Sequence, residues 1–331
     1  MADKFSVRND KLNDWSNAYL RETQKLEIAV RAQLLSYDRA QLSPAQQLSY
    51  DVYAWHLNDQ IRGHAFMYND YPLNPIILSY HTNLPQFFTD IHPIRSLADA
   101  QDYVTRLSQV KRQVDQVLDG IKRRQDAGVI LPKSYFPAIL RELGDIAQSS
   151  ARTTPFYATF QSKVSALKDV SDVEKENLLK NAEKEIETSV LPAFRAMTEF
   201  MEQQEKIAMN DIGVWRLSNG AEYYAYVLHR QTTTDLTADQ IHDIGVRQVA
   251  RIQAEIRAVA KQLGYPADAT IADIIGRATR DGGVLQDEQI VKRYEAIIQE
   301  AEDYIAPVFD LKPKAKVIVI GVPIGGYYNP G

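Results

Sequence analysis

Six histidines, His56, His64, His81, His92, His229 and His242, are the side chains best suited to holding a metal or moving a proton. None stands in a His-Glu-x-x-His pattern, no two are four residues apart, and His56 and His64 would lie two helical turns from one another. The spacing therefore presents no zinc site, and each histidine is accounted for by packing or solvation. A serine nucleophile is equally unsupported, because no Gly-x-Ser-x-Gly elbow occurs. Gly321-Val-Pro-Ile-Gly-Gly326 follows a β-branched run but matches neither the dinucleotide fingerprint nor the Walker pattern. The acidic groups Glu183, Glu185 and Glu187, and Asp239 with Asp243, read as solvated helix faces. Two tyrosine pairs stand out: Tyr223-Tyr224 after Asn219-Gly220, and Tyr327-Tyr328 after Gly325-Gly326. Each couples a ring to a hydroxyl able to hold a peptide carbonyl or an oxyanion. Packing is the competing role, since the chain has 18 tyrosines.

The elements that would position these groups are helical in period. Leu12, Trp15, Tyr19, Leu26, Val30 and Leu34 recur at three- and four-residue steps and predict a helix over 11–36 with one core-facing stripe. Ser43-Pro-Ala-Gln46 forms a capping box opening a second helix through Leu48, Val52, Trp55 and Ile61, the two making an antiparallel hairpin. Prolines 72, 75, 85 and 93 predict an irregular, apolar loop over 70–93 that packs on the body. Ser96 starts a long helix to about residue 126, with Leu107, Val110, Val114, Val117 and Ile121 on one face and Gly128 ending it. Further helices follow over 134–147, 156–167 and 171–209, the last kinked at Pro192. A weak strand is predicted at 214–217, a short helix over 221–230, and a helix opened by Thr237 that carries Ile241, Val249, Ile252, Ile256 and Val259. Helices near 270–279 and 287–305 lead to a terminal β-strand at Val317–Ile320. The expected fold class is mainly α, a multi-helix bundle-like body with one or two short β-strands. The regions 1–150 and 151–331 are expected to form one continuous domain.

Composition agrees with a globular chain: 331 residues, 45% hydrophobic and 24% charged. A net charge of −5 offers no basic field for nucleic acid, which is not expected as a partner. The absence of cysteine excludes disulfides and thiol catalysis and leaves the compartment open. No window has the roughly 18–20 apolar residues of a membrane span and the first residues lack a signal-peptide core, so the chain as written is expected to be soluble.

Residues 213–245, Gly-Val-Trp-Arg-Leu-Ser-Asn-Gly-Ala-Glu-Tyr-Tyr through Gln-Ile-His-Asp-Ile-Gly, resemble the DUF885 family of bacterial proteins. Members read Leu-Pro-x-Gly-x-x-Tyr-Tyr, then a Thr-Thr segment, then Glu-Ile-His-x-x-Gly. Ser218 stands here for the proline, Gln231 for a histidine and Gln240 for the glutamate. Leu42–Asp51, Leu84–Pro93, Asp99–Leu107 and the closing Val322-Pro323 with Tyr327-Tyr328 and Pro330 also match, in order. The resemblance implies a helical zinc metallopeptidase of gluzincin type, a helical body around a cleft with a small sheet. It places the family's His-Glu-x-x-Pro-Gly-His motif and its general base after the tyrosine-proline segment, beyond Gly331. What it implies for this chain is the helical part of an incomplete zincin-like fold, inactive by itself, with no catalytic residue and no metal ligand. Zinc and a peptide substrate would belong to a full-length member, which often carries a lipoprotein or export signal; the resemblance implies a periplasmic or lipoprotein-anchored location for that longer protein, and a cytoplasmic one otherwise. Tyr223, Tyr224, Arg230, Tyr327 and Tyr328 are the expected cleft residues. The alternative is a non-catalytic helical module that binds peptides or serves as a scaffold.

Overall fold

Helices account for all the regular structure in the computed structural model, which describes residues 10–319 apart from 77, 78, 284, 286, 306 and 312. The described residues up to Ala238 form one compact unit and those from Asp239 a second.

The first unit opens with α1 (Asn17–Leu35), whose Ser16 side chain caps the Tyr19 amide, and α2 (Pro44–Gly63), whose Ser43/Gln46 capping box forms as the sequence predicts. Glu27 meets His64, Arg31 meets Asn58, and Arg39 holds Asp51 with two bonds of 2.7 and 2.6 Å. Partner numbers fall as the others rise, so the pair is an antiparallel hairpin. Its stripe, however, is not a core. Trp15 just before α1, Tyr19 and Leu26 on it, and Leu48, Val52 and Trp55 on α2 are exposed, whereas Leu12 packs on the bundle core and Val30, Leu34 and Ile61 are half-buried.

The core lies in the helices that follow: α3 (Tyr80–Gln86), α4 (Leu97–Leu107), α5 (Val110–Asp126), α6 (Phe136–Ala147), α7 (Pro155–Ser165), α8 (Asp172–Glu185) and α9 (Leu191–Ile207). At its centre the Tyr103 ring stacks on Phe160 at 4.6 Å, Phe88 meets both Tyr103 and Phe156 edge-on, and the Tyr103 hydroxyl donates to the Phe156 carbonyl at 2.9 Å. Leu107, Val110, Val114, Val117 and Ile121 are buried as their spacing predicts, and Gly128 ends α5 at φ +80°.

Three departures have local causes. The 70–93 segment does pack on the body, but part of it is helical: Tyr80, Leu84 and Phe88 recur every four residues and are buried, and the helix passes Pro85 into a π-turn at Phe87–Ile91. The long helix predicted over 96–126 is two, because the buried Ser189 hydroxyl enters at the join. It donates to the Ser108 carbonyl at 3.3 Å and accepts from the Lys111 amide at 3.0 Å. Ser189 belongs to a second π-turn, Ile186–Val190, which interrupts the predicted 171–209 helix just before Pro192.

Both predicted strands are overturned, and the zincin-like fold with its small sheet goes with them. Residues 214–216 form a 3₁₀ turn, its start held by Asp211, which accepts from the Gly213 amide at 2.9 Å and from Trp215 Nε1 at 3.2 Å. Residues 317–319 have no regular structure, and Val317 and Ile318 are exposed. A β-branched run needs a neighbour to share its backbone hydrogen bonds, and no strand exists among the described residues to supply one. The predicted strand residue Ile320 lies outside the described residues, as do Tyr327 and Tyr328.

α10 (Gly220–Thr232) closes the first unit. Gly220 is needed for close approach rather than a positive φ: a Cβ there would collide with the Val214 carbonyl. The second unit holds α11 (Ala238–Gln262), ended by Gly264 at φ +74°, α12 (Ile271–Gly282), capped by Thr270 and Asp273, and α13 (Asp287–Ile305). Val249, Ile252 and Val259 of the predicted α11 stripe are exposed.

Candidate functional site

A cleft of about 600 Å³ opens in the first unit between α1, the end of α2 with residues 64–72, α5 and α10. α10 supplies its most chemically varied wall. Tyr223, Tyr226, Val227, Arg230 and Gln231 recur at helical steps and all line the cleft. Tyr224, one position from Tyr223, does not line it and is exposed.

Tyr226 ties this wall to α2. Its hydroxyl donates to the Asp59 carbonyl at 3.3 Å and accepts from Arg230 Nη1 at 2.8 Å, while its ring lies 5.2 Å from Phe66 in a stacked arrangement. Gly63 makes this approach possible, since a Cβ there would collide with the Tyr226 hydroxyl. Arg230 Nη1 also donates to Gln60 Oε1 at 3.0 Å and stands 3.6 Å from Asp59 Oδ2. The bond to Tyr226 is the main cause that pushes the Arg230 pKa up. Asp59 is 5% exposed, and its Oδ1 has no hydrogen-bond partner among the described residues. Tyr223 packs on Phe66 at 5.5 Å, and burial, with Asp70 nearby, pushes its hydroxyl pKa up, so it stays a neutral donor at pH 7.

Opposite, Arg124 of α5 is buried and pins the loop that forms the floor. It donates to Asp70 Oδ1 from Nε at 3.0 Å and Nη2 at 2.6 Å, to the Asp70 carbonyl at 3.1 Å and to the Gly120 carbonyl at 3.0 Å. His64 and Glu27 face each other across the α1–α2 side of the cleft in a hydrogen-bonded pair.

Of the residues expected at a cleft, the structure brings Tyr223 and Arg230 together and leaves Tyr224 outside. Sequence reasoning missed Tyr226, Asp59, Arg124, Glu27 and His64. The four-residue step from Tyr226 to Arg230 was available as a signal. Glu27 and His64 are 37 positions apart and carry no local pattern.

The remaining buried histidines serve packing. His81 Nε2 pairs with Glu142 at 2.8 Å and its Nδ1 meets the Ser79 hydroxyl at 2.6 Å. His92 Nε2 donates to the Asp99 carbonyl at 3.0 Å, and its Nδ1 accepts from Arg106. Burial is the first cause that lowers both pKa values, so both rings are neutral near pH 7.

Among the described residues no three His, Asp or Glu side chains converge as metal ligands, so the cleft does not fit a zinc ion. No helix among them is long and apolar enough to cross a membrane.

A family model described as "Bacterial protein of unknown function (DUF885)" matches residues 1–324. A crystal structure of "the putative lipoprotein from Colwellia psychrerythraea" superposes with a TM-score of 0.85 at 18% identity, over 93% of this chain and 55% of that one. At that identity the likeness shows a shared fold, and the chain spans little more than half the length of that relative. No curated protein matches the chain.

Proposed function

The chain belongs to the DUF885 family, and from that premise we propose that it is the helical, cleft-bearing portion of a longer peptide-binding hydrolase. The observation that carries this reading is the α10 face. Tyr223 and Arg230, two residues the family resemblance picks out, line one cleft with Tyr226 between them. A neutral phenol and a fixed guanidinium beside apolar rings suit a peptide, with donors for its carbonyls and packing surface for its side chains.

In this reading hydrolysis by zinc-activated water belongs to the longer protein. Among the described residues no three His, Asp or Glu side chains come together as zinc ligands. The length of the Colwellia relative supports a larger whole, and the exposed apolar face of the α1–α2 hairpin is a surface on which further chain would pack. The description of that relative as a lipoprotein supports an extracytoplasmic place for the longer protein.

A second reading, a non-catalytic peptide-binding module, rests on the same cleft and differs only in lacking hydrolysis. Calorimetric titration of the 331-residue chain with a mixed pool of short peptides tests both. Binding that weakens in Tyr223→Ala is expected, and no binding would remove both readings. Peptide cleavage by a longer family member, absent from this chain alone, separates the first from the second.

A further inference from the structure

Resting on the peptide-binding reading, we propose that Arg230 is a carboxylate receptor, so that the cleft takes peptides presenting a carboxylate group. Three other arginines of the first unit show the geometry such a receptor uses. Arg39 binds Asp51, and Arg152 binds Glu183, each through Nε and Nη2 to the two oxygens of one carboxylate, at 2.7 and 2.6 Å and at 2.6 and 2.9 Å. Arg123 directs the same two nitrogens to the two oxygens of Asp119, at 2.8 and 3.4 Å. In Arg230 that edge has no partner among the described residues, although Nη1 is held by Tyr226 and Gln60.

The clamp on Nη1 matters because a free arginine loses rotamer freedom on binding, whereas this one is already ordered from behind. The side chain is 44% exposed and lines the cleft, so a ligand can reach its unfilled fork. Asp59 lies 3.6 Å from Nη1, too long for a hydrogen bond, and leaves the fork unoccupied. A planar, two-oxygen anion fits this edge with two parallel charge-assisted bonds. In a peptide the anion is either the terminal α-carboxylate or an acidic side chain.

The test is calorimetric titration of the intact chain with three probes: N-acetyl-trialanine, its C-terminal amide, and the amide of N-acetyl-Ala-Glu-Ala. The free acid is expected to bind at least about tenfold more tightly than its amide, the effect of charge-assisted bonds to one ionic group. Arg230→Gln should erase that difference, and Arg230→Lys, which keeps the charge without the fork, should lose most of it. If the glutamyl amide recovers the affinity of the acid, side-chain carboxylates serve as well; if not, the site reads the chain terminus. Equal binding of acid and amide by the wild-type chain would overturn the carboxylate inference and leave the peptide-binding reading standing. A preference for the acid that survives in Arg230→Gln would move the receptor elsewhere and also overturn it. Failure of all three probes to bind would remove both. The wild-type comparison of acid and amide needs no variant, so it decides the matter even if Arg230→Gln does not fold.

Discussion

The helical hairpin of α1 and α2 and the bundle of α4 to α9 carry similar apolar spacing, yet only the bundle buries its stripe. In the bundle, Val110, Val114 and Val117 share one contiguous core with Phe136, Ile139 and Phe194. In the hairpin, Leu26, Leu48 and Val52 remain more than half exposed, and the two helices are joined by polar contacts such as Arg39 with Asp51 and His64 with Glu27. Hydrophobic period thus identifies which face of a helix is apolar, while coverage depends on which other elements reach it. Exposed ion pairs hold a helix pair weakly, whereas each buried aromatic contributes several kcal/mol. The bundle is therefore the rigid base of the first unit, and the hairpin is the part whose stability depends on its inner contacts with α10.

Truncation at the centre of the bundle sets the upper limit of this contrast. Phe156→Ala removes a fully buried ring and is expected to cost about 3–5 kcal/mol in denaturant unfolding. A cost below about 1 kcal/mol would place the core elsewhere. Gly63→Ala comes next, because its Cβ would drive the Tyr226 ring from α2. A loss of about 1–3 kcal/mol is expected, together with weaker peptide binding.

Acid should act through the two buried histidines of the segment around α3. His81 and His92 have folded-state pKa values below the ordinary 6.5 because they are buried as neutral rings. The unfolded chain therefore binds protons first as the pH falls. The stability these rings contribute is complete above about pH 6.5 and is lost as the pH falls through the depressed folded values. Urea unfolding between pH 7.5 and 5 should show that slope, and His81→Gln should flatten it. A slope of opposite sign would mean that the buried rings are protonated in the fold. The smallest effect belongs to the outer face of the hairpin, where Leu48→Gln should change stability by no more than about 0.5 kcal/mol. A loss of several kcal/mol would show that this face is covered in solution.

Much of the helical frame was legible because caps and stripes are local signals: Ser43 with Gln46, Ser171 with Glu174 and Gly128 each mark a boundary that forms. The interruptions were not, since the break at Ser108 is created by Ser189, which is 81 positions away. The terminal β-branched run misled for a related reason. Residue type favours a strand, but a strand exists only where another chain segment shares its hydrogen bonds. The site divides in the same way. Tyr223 and Arg230 lie on one helix and were found together, whereas their supports Asp59 and Gln60 come from α2, some 170 positions earlier. Tyr224 shared the motif but not the helix face.

The most direct test of the central claim is amide chemical-shift mapping of the 331-residue chain titrated with N-acetyl-trialanine. The account predicts changes concentrated at Gly63, Phe66, Tyr223, Val227 and Arg230, with Tyr224 and the outer face of the hairpin around Leu48 unmoved. Changes confined to that outer face, or none at saturating peptide, would contradict it.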